Sequence, residues 1–269
     1  MDQRDKNSKQ QVIAVIPARR LSTRLPGKMM LPLAGKPLIL HTLERTKGAK
    51  NISRVIVATD DTEILAAVQE NGGEAVITSS HHQSGSDRIA EVAANLPENS
   101  IIVNVQGDEP LISPMTIEKA VAAMIEDKNA DIVTISEPFA DHRNVLDPNV
   151  VKVVTDKDGF AFYFSRSLIP FPRDATKMHG NIENALRNEP NLLSEFRKHT
   201  GLYVYRREFL LKFTNLPQSK LEKLESLEQL RALENGARIK VVEVRESSIG
   251  IDTVEDFERV QRILEGKTK

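Results

Sequence analysis

The sequence predicts an α/β fold, in which helices cover a mostly parallel sheet and a smaller α+β subdomain is inserted. Three observations predict it. Short apolar runs at residues 12–16, 54–58, 101–105 and 132–136 have the length and continuity of buried strands. Helical patterns separate these runs, the order of a parallel sheet. After residue 150 the alternation stops, and two strand-like runs flank Asp156-Lys157-Asp158-Gly159, a hairpin with a glycine-bearing turn.

The elements follow in order. Residues 12–16 form a strand ending at Pro17, and Leu38, Leu40 and Leu43 mark a helix after Pro37. Residues 54–58 are a strand closed by Thr59-Asp60-Asp61. Residues 62–70 form a helix with Ile64, Leu65 and Val68 on one face. A short strand at 75–78 precedes a helix over 86–95 capped by Ser86. Strand 101–105 is broken by Gln106-Gly107-Asp108-Glu109-Pro110, followed by helix 117–125 and strand 132–136. The hairpin strands are 150–155 and 160–164, a polar irregular insert runs from Pro170 to about Lys198, and 200–205 returns as a strand. A helix over 219–234, a strand over 238–244 and a helix over 254–264 close the chain. The expected division is a tail at 1–11, a main domain of 12–149 plus 214–269, and a smaller subdomain at 150–213.

At 269 residues the chain can bury a large core. Lys plus Arg (37) nearly balances Asp plus Glu (38), which speaks against bulk nucleic-acid binding. The absence of cysteine excludes disulfides, thiolate metal sites and a Cys nucleophile. No apolar run reaches the ~20 residues of a membrane span. Residues 1–11 are polar, unlike a signal peptide, and a cytoplasmic protein is expected.

The segment after the first strand carries the chemistry. Arg19, Arg20, Arg24 and Lys28 fall within ten residues, beside Ser22, Thr23 and Gly27. A buried strand opening into a cationic, glycine-bearing loop suits the phosphates of a nucleoside triphosphate. Neither Gly-x-x-x-x-Gly-Lys-Ser/Thr nor Gly-x-Gly-x-x-Gly is present. Arg24 and Lys28 are expected at the β- and γ-phosphates and Arg19 nearer the α-phosphate and nucleoside; Arg20 receives no role. Asp108, at a strand's carboxyl end, is expected to hold Mg²⁺, with Gln106 on the nucleotide. Asp252 supplies a second carboxylate, because Thr253 caps the last helix and leaves Asp252 outside it. Leucines at every third position from 221 to 233 sweep a wide arc that encloses Glu228, so this carboxylate needs a buried partner or a ligand.

Pro17-Ala18-Arg19 and Ser22-Thr23-Arg24-Leu25-Pro26-Gly27-Lys28 resemble the opening of the sugar-activating nucleotidyltransferases. His82-Gln83-Ser84-Gly85-Ser86-Asp87-Arg88, Val103–Pro110, Val151–Val154 with Tyr163–Arg166, Leu227–Arg231 and Gly250–Thr253 are similar to the CMP-Kdo synthetase branch, where Kdo is 3-deoxy-manno-octulosonate. The resemblance spans about residues 12–262. It implies a Rossmann-like sheet, CTP and Kdo as substrates, Mg²⁺ as cofactor and a homodimer paired through the smaller subdomain. It implies a role in lipopolysaccharide or capsule assembly. It places Ser84, Gly85 and Arg88 at the nucleotide. It places Arg166, His199, Tyr203, Glu228 and Gln229 in the sugar pocket, with Arg166 clamping the sugar carboxylate. Arg20 and Thr200 depart from residues common in the family. Two other readings are CMP transfer to a related acidic sugar, such as 8-amino-Kdo or a sialic-type acid, and a non-catalytic nucleotide-sensing domain.

Overall fold

The computed structural model describes residues 10–20, 24–246 and 248–267. In chain order, strand β1 (Val12–Ala18) leads through a 3-10 turn (Lys28–Met30) to β2 (Pro32–Leu33), β3 (Lys36–Pro37) and helix α1 (Leu38–Lys47). There follow β4 (Arg54–Thr59), α2 (Thr62–Glu70), β5 (Glu74–Ile77), α3 (Gly85–Ala93), β6 (Ile101–Asn104) and α4 (Pro114–Glu126). Next come β7 (Ile132–Pro138), α5 (His142–Leu146), β8 (Lys152–Thr155), β9 (Ala161–Ser165), α6 (Arg173–His179), α7 (Ile182–Asn188), a 3-10 segment (Pro190–Glu195) and β10 (Arg197–Arg206). The chain ends with α8 (Arg207–Thr214), α9 (Lys220–Glu225), α10 (Glu228–Glu234), β11 (Ile239–Glu243) and α11 (Val254–Leu264).

Two compact units result. One takes the described residues of Met1–Val121 with Val204–Thr214 and Ile249–Lys269; the other takes Ala122–Tyr203 and Asn215–Ser248. The expected subdomain at 150–213 thus falls mostly in the second unit, which also draws in 122–149 and 215–248.

The first unit is the α/β layer that the apolar runs predict. β1 pairs in parallel with β4 and β6, and β4 with β5, in the order β6-β1-β4-β5. Every residue of β1 is buried, as expected for a strand covered on both faces. Residues 1–9 of the expected tail lie outside the described residues. Gln11 already belongs to the fold, since its carbonyl accepts the Ile101 N–H (2.8 Å).

In the second unit β7 and β11 pair in parallel, and β8 pairs antiparallel with β9 and with β10. The hairpin forms where expected, with Asp156 closing its turn on the Gly159 and Phe160 amides. The insert from Pro170 to Lys198 corrects the irregular expectation: α6, α7 and the 3-10 segment fill it. Leu186 and Phe196 form a small core with Phe139 and Val145, and Ile182, Leu192 and Leu193 pack on it. A helical face of few apolar residues scattered among polar ones gives a weak periodic signal.

Two further expectations are corrected. Ser84, not Ser86, caps α3: its hydroxyl accepts the Asp87 N–H, and the Asp87 carboxylate accepts the Ser84 N–H (both 3.1 Å). The helix over 219–234 is two helices, broken where Ser226 takes a left-handed conformation (φ 52°). The break turns Leu224 outward, to 71% exposure, so the leucine arc is not continuous. The buried carboxylate of this region is Glu222, paired with the equally buried Arg231 (3.3 Å), while Glu228 is half-buried.

Candidate functional site

In the first unit, the site forms at the carboxyl ends of β1 and β6, where parallel sheets receive ligands. Pro17 is its floor. Gly107 lies so close to it that a Cβ there would come 2.8 Å from the Pro17 carbonyl, so the turn after β6 requires glycine. A Cβ on Gly85 would lie 3.5 Å from the Pro17 ring and 3.9 Å from Gln106 Oε1. The α3 cap (Ser84, Gly85), Gln106 and the end of β1 therefore share one locality. Gln106 is steadied by donating to Asn104 Oδ1 (3.0 Å).

Asp108 and Asp252 converge on one atom, the Lys28 Nζ. Gly27 (φ 67°) turns the chain into the 3-10 turn, and this buries Lys28. Its Nζ donates to Asp108 Oδ2 (2.6 Å), the Ile251 carbonyl (2.6 Å) and Asp252 Oδ1 (3.2 Å). Backbone pairing sets this up: the Ile251 N–H donates to the Asp108 carbonyl (2.9 Å), joining two turns 143 residues apart in sequence. Thr253 caps α11 with Asp256 in a capping box, as the sequence predicts. Asp252 is outside the helix but not unengaged: it also accepts from Arg24 Nη1 (3.3 Å). Lys28 and Arg24, expected on phosphates, thus lie on the carboxylate pair. Arg19 is exposed just beyond β1; Ser22 and Thr23 lie outside the described residues.

The chemistry of this donor set fits a hard divalent cation. Asp108 and Asp252 already share one positive charge, both are partly exposed, and magnesium commonly takes one or two carboxylates plus phosphate oxygens. Among the described residues no group of three or more His, Cys, Asp or Glu is placed to hold a metal, so the remaining ligands would come from substrate and water.

Arg88 is buried and committed to protein: Nη1 donates to Thr78 Oγ1 and Nη2 to Asp60 Oδ2 (2.9 Å). Arg20, which had no assigned role, donates its N–H to Asp60 Oδ1 (3.1 Å) and its guanidinium to Asp61 (2.8 Å). Asp61 in turn caps α2 through the Glu63 and Ile64 amides. The acidic pair directly after β4 was the sequence signal for this network.

The second unit holds the expected sugar residues. His199, on β10, is buried, and its Nε2 bonds Thr134 Oγ1 (2.9 Å). Its ring meets Phe164 edge-on (4.9 Å) and Tyr203 at a tilt (5.6 Å). Burial, helped by the Lys198 charge, lowers its pKa to about 3, so it is a neutral imidazole at neutral pH. Gln229, on α10, is buried, and its Nε2 has no partner among the described residues, a donor available to an oxygen-rich ligand. Glu228 is half-buried beside it.

Arg166, expected to clamp the sugar carboxylate, has its guanidinium on backbone carbonyls. Its Nε donates to the Glu225 carbonyl (2.6 Å), Nη1 to the Pro148 carbonyl (3.1 Å) and Nη2 to the Ser226 carbonyl (3.5 Å). The fork stitches the α9–α10 break to the end of β9. Glu225, which the sequence did not single out, completes the stitch by accepting from Ser165 Oγ (2.7 Å) and the Arg166 N–H (2.9 Å).

The cytidylyltransferase family profile matches residues 13–239. A 3-deoxy-manno-octulosonate cytidylyltransferase of Syntrophotalea carbinolica is 50% identical, covering 95% of this chain and 99% of the relative. One of Geobacter sulfurreducens is 49% identical, covering 93% and 97%. A solved CMP:2-keto-3-deoxy-manno-octonic acid synthetase complexed with CTP superposes with a TM-score of 0.85 at 38% identity, covering 96% of this chain and all of that one. The fold, the extent of these matches and the converging strand-end turns together establish that the chain belongs to the cytidylyltransferase family of nucleotidyl-transferring enzymes.

Proposed function

We propose that the protein transfers CMP from CTP to Kdo and releases pyrophosphate. The observation that carries this reading is the carboxylate pair Asp108–Asp252 held around Lys28, on a chain about half identical to 3-deoxy-manno-octulosonate cytidylyltransferases. In the reaction the anomeric hydroxyl of Kdo forms the new bond to the α-phosphorus, the bond to pyrophosphate breaks, and the hydroxyl proton is lost. Asp108 and Asp252 would hold Mg²⁺, which supplies Lewis-acid polarisation of the phosphate when bound. Lys28 and Arg24 offset the charge gathering on pyrophosphate. Arg19, Ser84, Gly85 and Gln106 line the nucleotide, while Arg88 acts on it through Asp60 and Thr78. His199, Tyr203, Glu228 and Gln229 face the sugar; in this reading Arg166 orients β9 and α10.

The same reading includes a homodimer, a cytoplasmic location and supply of activated sugar for lipopolysaccharide. Phe162, Phe171 and Met178 of the second unit are 60–76% exposed, which supports pairing through that unit. Among the described residues no helix is long and apolar enough to cross a membrane. The decisive assay is pyrophosphate release from CTP with Kdo, 8-amino-Kdo and a sialic acid, with and without Mg²⁺. Release with Kdo above the other sugars is expected. Preference for another acid would reassign the acceptor, and no release with any sugar would overturn the reading.

A further inference from the structure

Asp60 directly follows β4, and its two carboxylate oxygens go to different places. Oδ1 accepts the backbone N–H of Arg20, at the entry of the loop that carries Arg24 and Lys28 (3.1 Å). Oδ2 accepts Nη2 of Arg88, on the first turns of α3, whose cap is Ser84 and whose first residue is Gly85 (2.9 Å). The Arg88 guanidinium also reaches Thr78, just past β5, and Thr78 is itself bonded to the Thr59 carbonyl at the end of β4 (3.1 Å). Asp60 and Arg88 together therefore fasten the ends of three neighbouring parallel strands, β1, β4 and β5, on the edge of the sheet where ligands bind.

We infer that Asp60 is a positioning residue that sets the phosphate loop and the base-side segment of the nucleotide site relative to each other. Burial makes the link firm: the Arg88 side chain is 4% exposed and that of Asp60 16%. An uncompensated guanidinium at that depth is strongly unfavourable, so Arg88 holds Asp60 in place and Asp60 holds the loop. The Arg20 side chain adds little, being 61% exposed on its bond to Asp61. Its backbone N–H is the anchor, and any residue except proline could supply it.

The inference rests on the nucleotide site proposed above, and calorimetry separates the two. If the unaltered protein does not bind CTP, the nucleotide reading fails. If it does, the test is made in the Arg88→Met background, where Asp60 has no buried cation left to neutralise. Adding Asp60→Ala there is expected to weaken CTP binding at least fivefold, because the loop N–H has lost its acceptor. Amide-exchange protection at Arg20 and at residues 24–28 should fall in parallel. In turnover, KM for CTP should rise while KM for Kdo stays within about twofold. A loss of CTP affinity below fivefold in that background would reduce Asp60 to the counter-ion of Arg88 and overturn the inference. So would unchanged exchange at Arg20 and residues 24–28. The doubly altered protein carries neither buried charge, which keeps the measurement on a folded protein.

Discussion

Replacing Lys28 by Met removes the one charge on which Asp108, Asp252 and the Ile251 carbonyl converge, and keeps most of the side-chain volume. Removing one partner of a fully buried pair costs ~3–5 kcal/mol. Here the carboxylate side chains are 27% and 54% exposed, so water recovers part of that, and ~1–3 kcal/mol is expected. For a chain of this size the melting temperature should fall by roughly 2–4 °C per kcal/mol. The same change leaves two carboxylates with no buried cation between them, an improved site for a divalent ion. If that ion binds with a dissociation constant of about 1 mM, then about 10 mM Mg²⁺ adds ~1.4 kcal/mol of stability. The assay is a thermal melt of both proteins with and without Mg²⁺, in the absence of nucleotide. Mg²⁺ should raise the melting temperature of the Lys28→Met protein by several degrees and that of the unaltered protein far less, because Lys28 already neutralises the pair. Equal shifts in the two proteins, or a variant as stable as the original, would refute the placement of Lys28 as the resident cation of this site.

Two other outcomes follow from the second unit. The folded-state pKa of His199, about 3, lies below its unfolded value, so the unfolded chain binds the extra proton first as pH falls. Its contribution is fully present above about pH 6.5 and declines below it; between pH 6.5 and 5 the loss is ~2 kcal/mol, at 1.36 kcal/mol per unit. Urea titrations of the protein and of a His199→Gln variant check this, since the variant should lose that part of the slope; parallel slopes would contradict a buried neutral imidazole. Arg166→Lys should lower stability by ~1–2 kcal/mol, because one ammonium cannot meet the Glu225 and Pro148 carbonyls as the fork does. A raised KM for Kdo with an unchanged melting curve would instead restore Arg166 as a carboxylate clamp.

Much of the first unit was legible in the sequence. Strands buried on both faces are apolar nearly throughout, so β1, β4 and β6 show as short apolar runs, and the turns that follow them carry the polar chemistry. The Thr253–Asp256 capping box could be read locally, because both partners lie within one helical turn. Asp108 and Asp252 could each be named from their own turns. Their meeting around Lys28 could not, because it depends on a backbone bond between Ile251 and Asp108, which no local pattern encodes. The same limit explains Arg166 and Arg88. A sequence names an arginine but not its partners, and the fork can be satisfied by carbonyls of Pro148, Glu225 and Ser226 or by an aspartate at another strand's end. The break at Ser226 escaped for a related reason. Leucine spacing and helix propensity favour continuation through 219–234, and the left-handed turn is held by Arg166 and Glu225 bonds between segments 59 residues apart. The sequence by itself determined which elements form and which turns carry charge, since those follow from short-range periodicity and capping. Only the tertiary structure decided which charges face each other, because a buried ion must take its partner from whatever packing brings within about 3 Å.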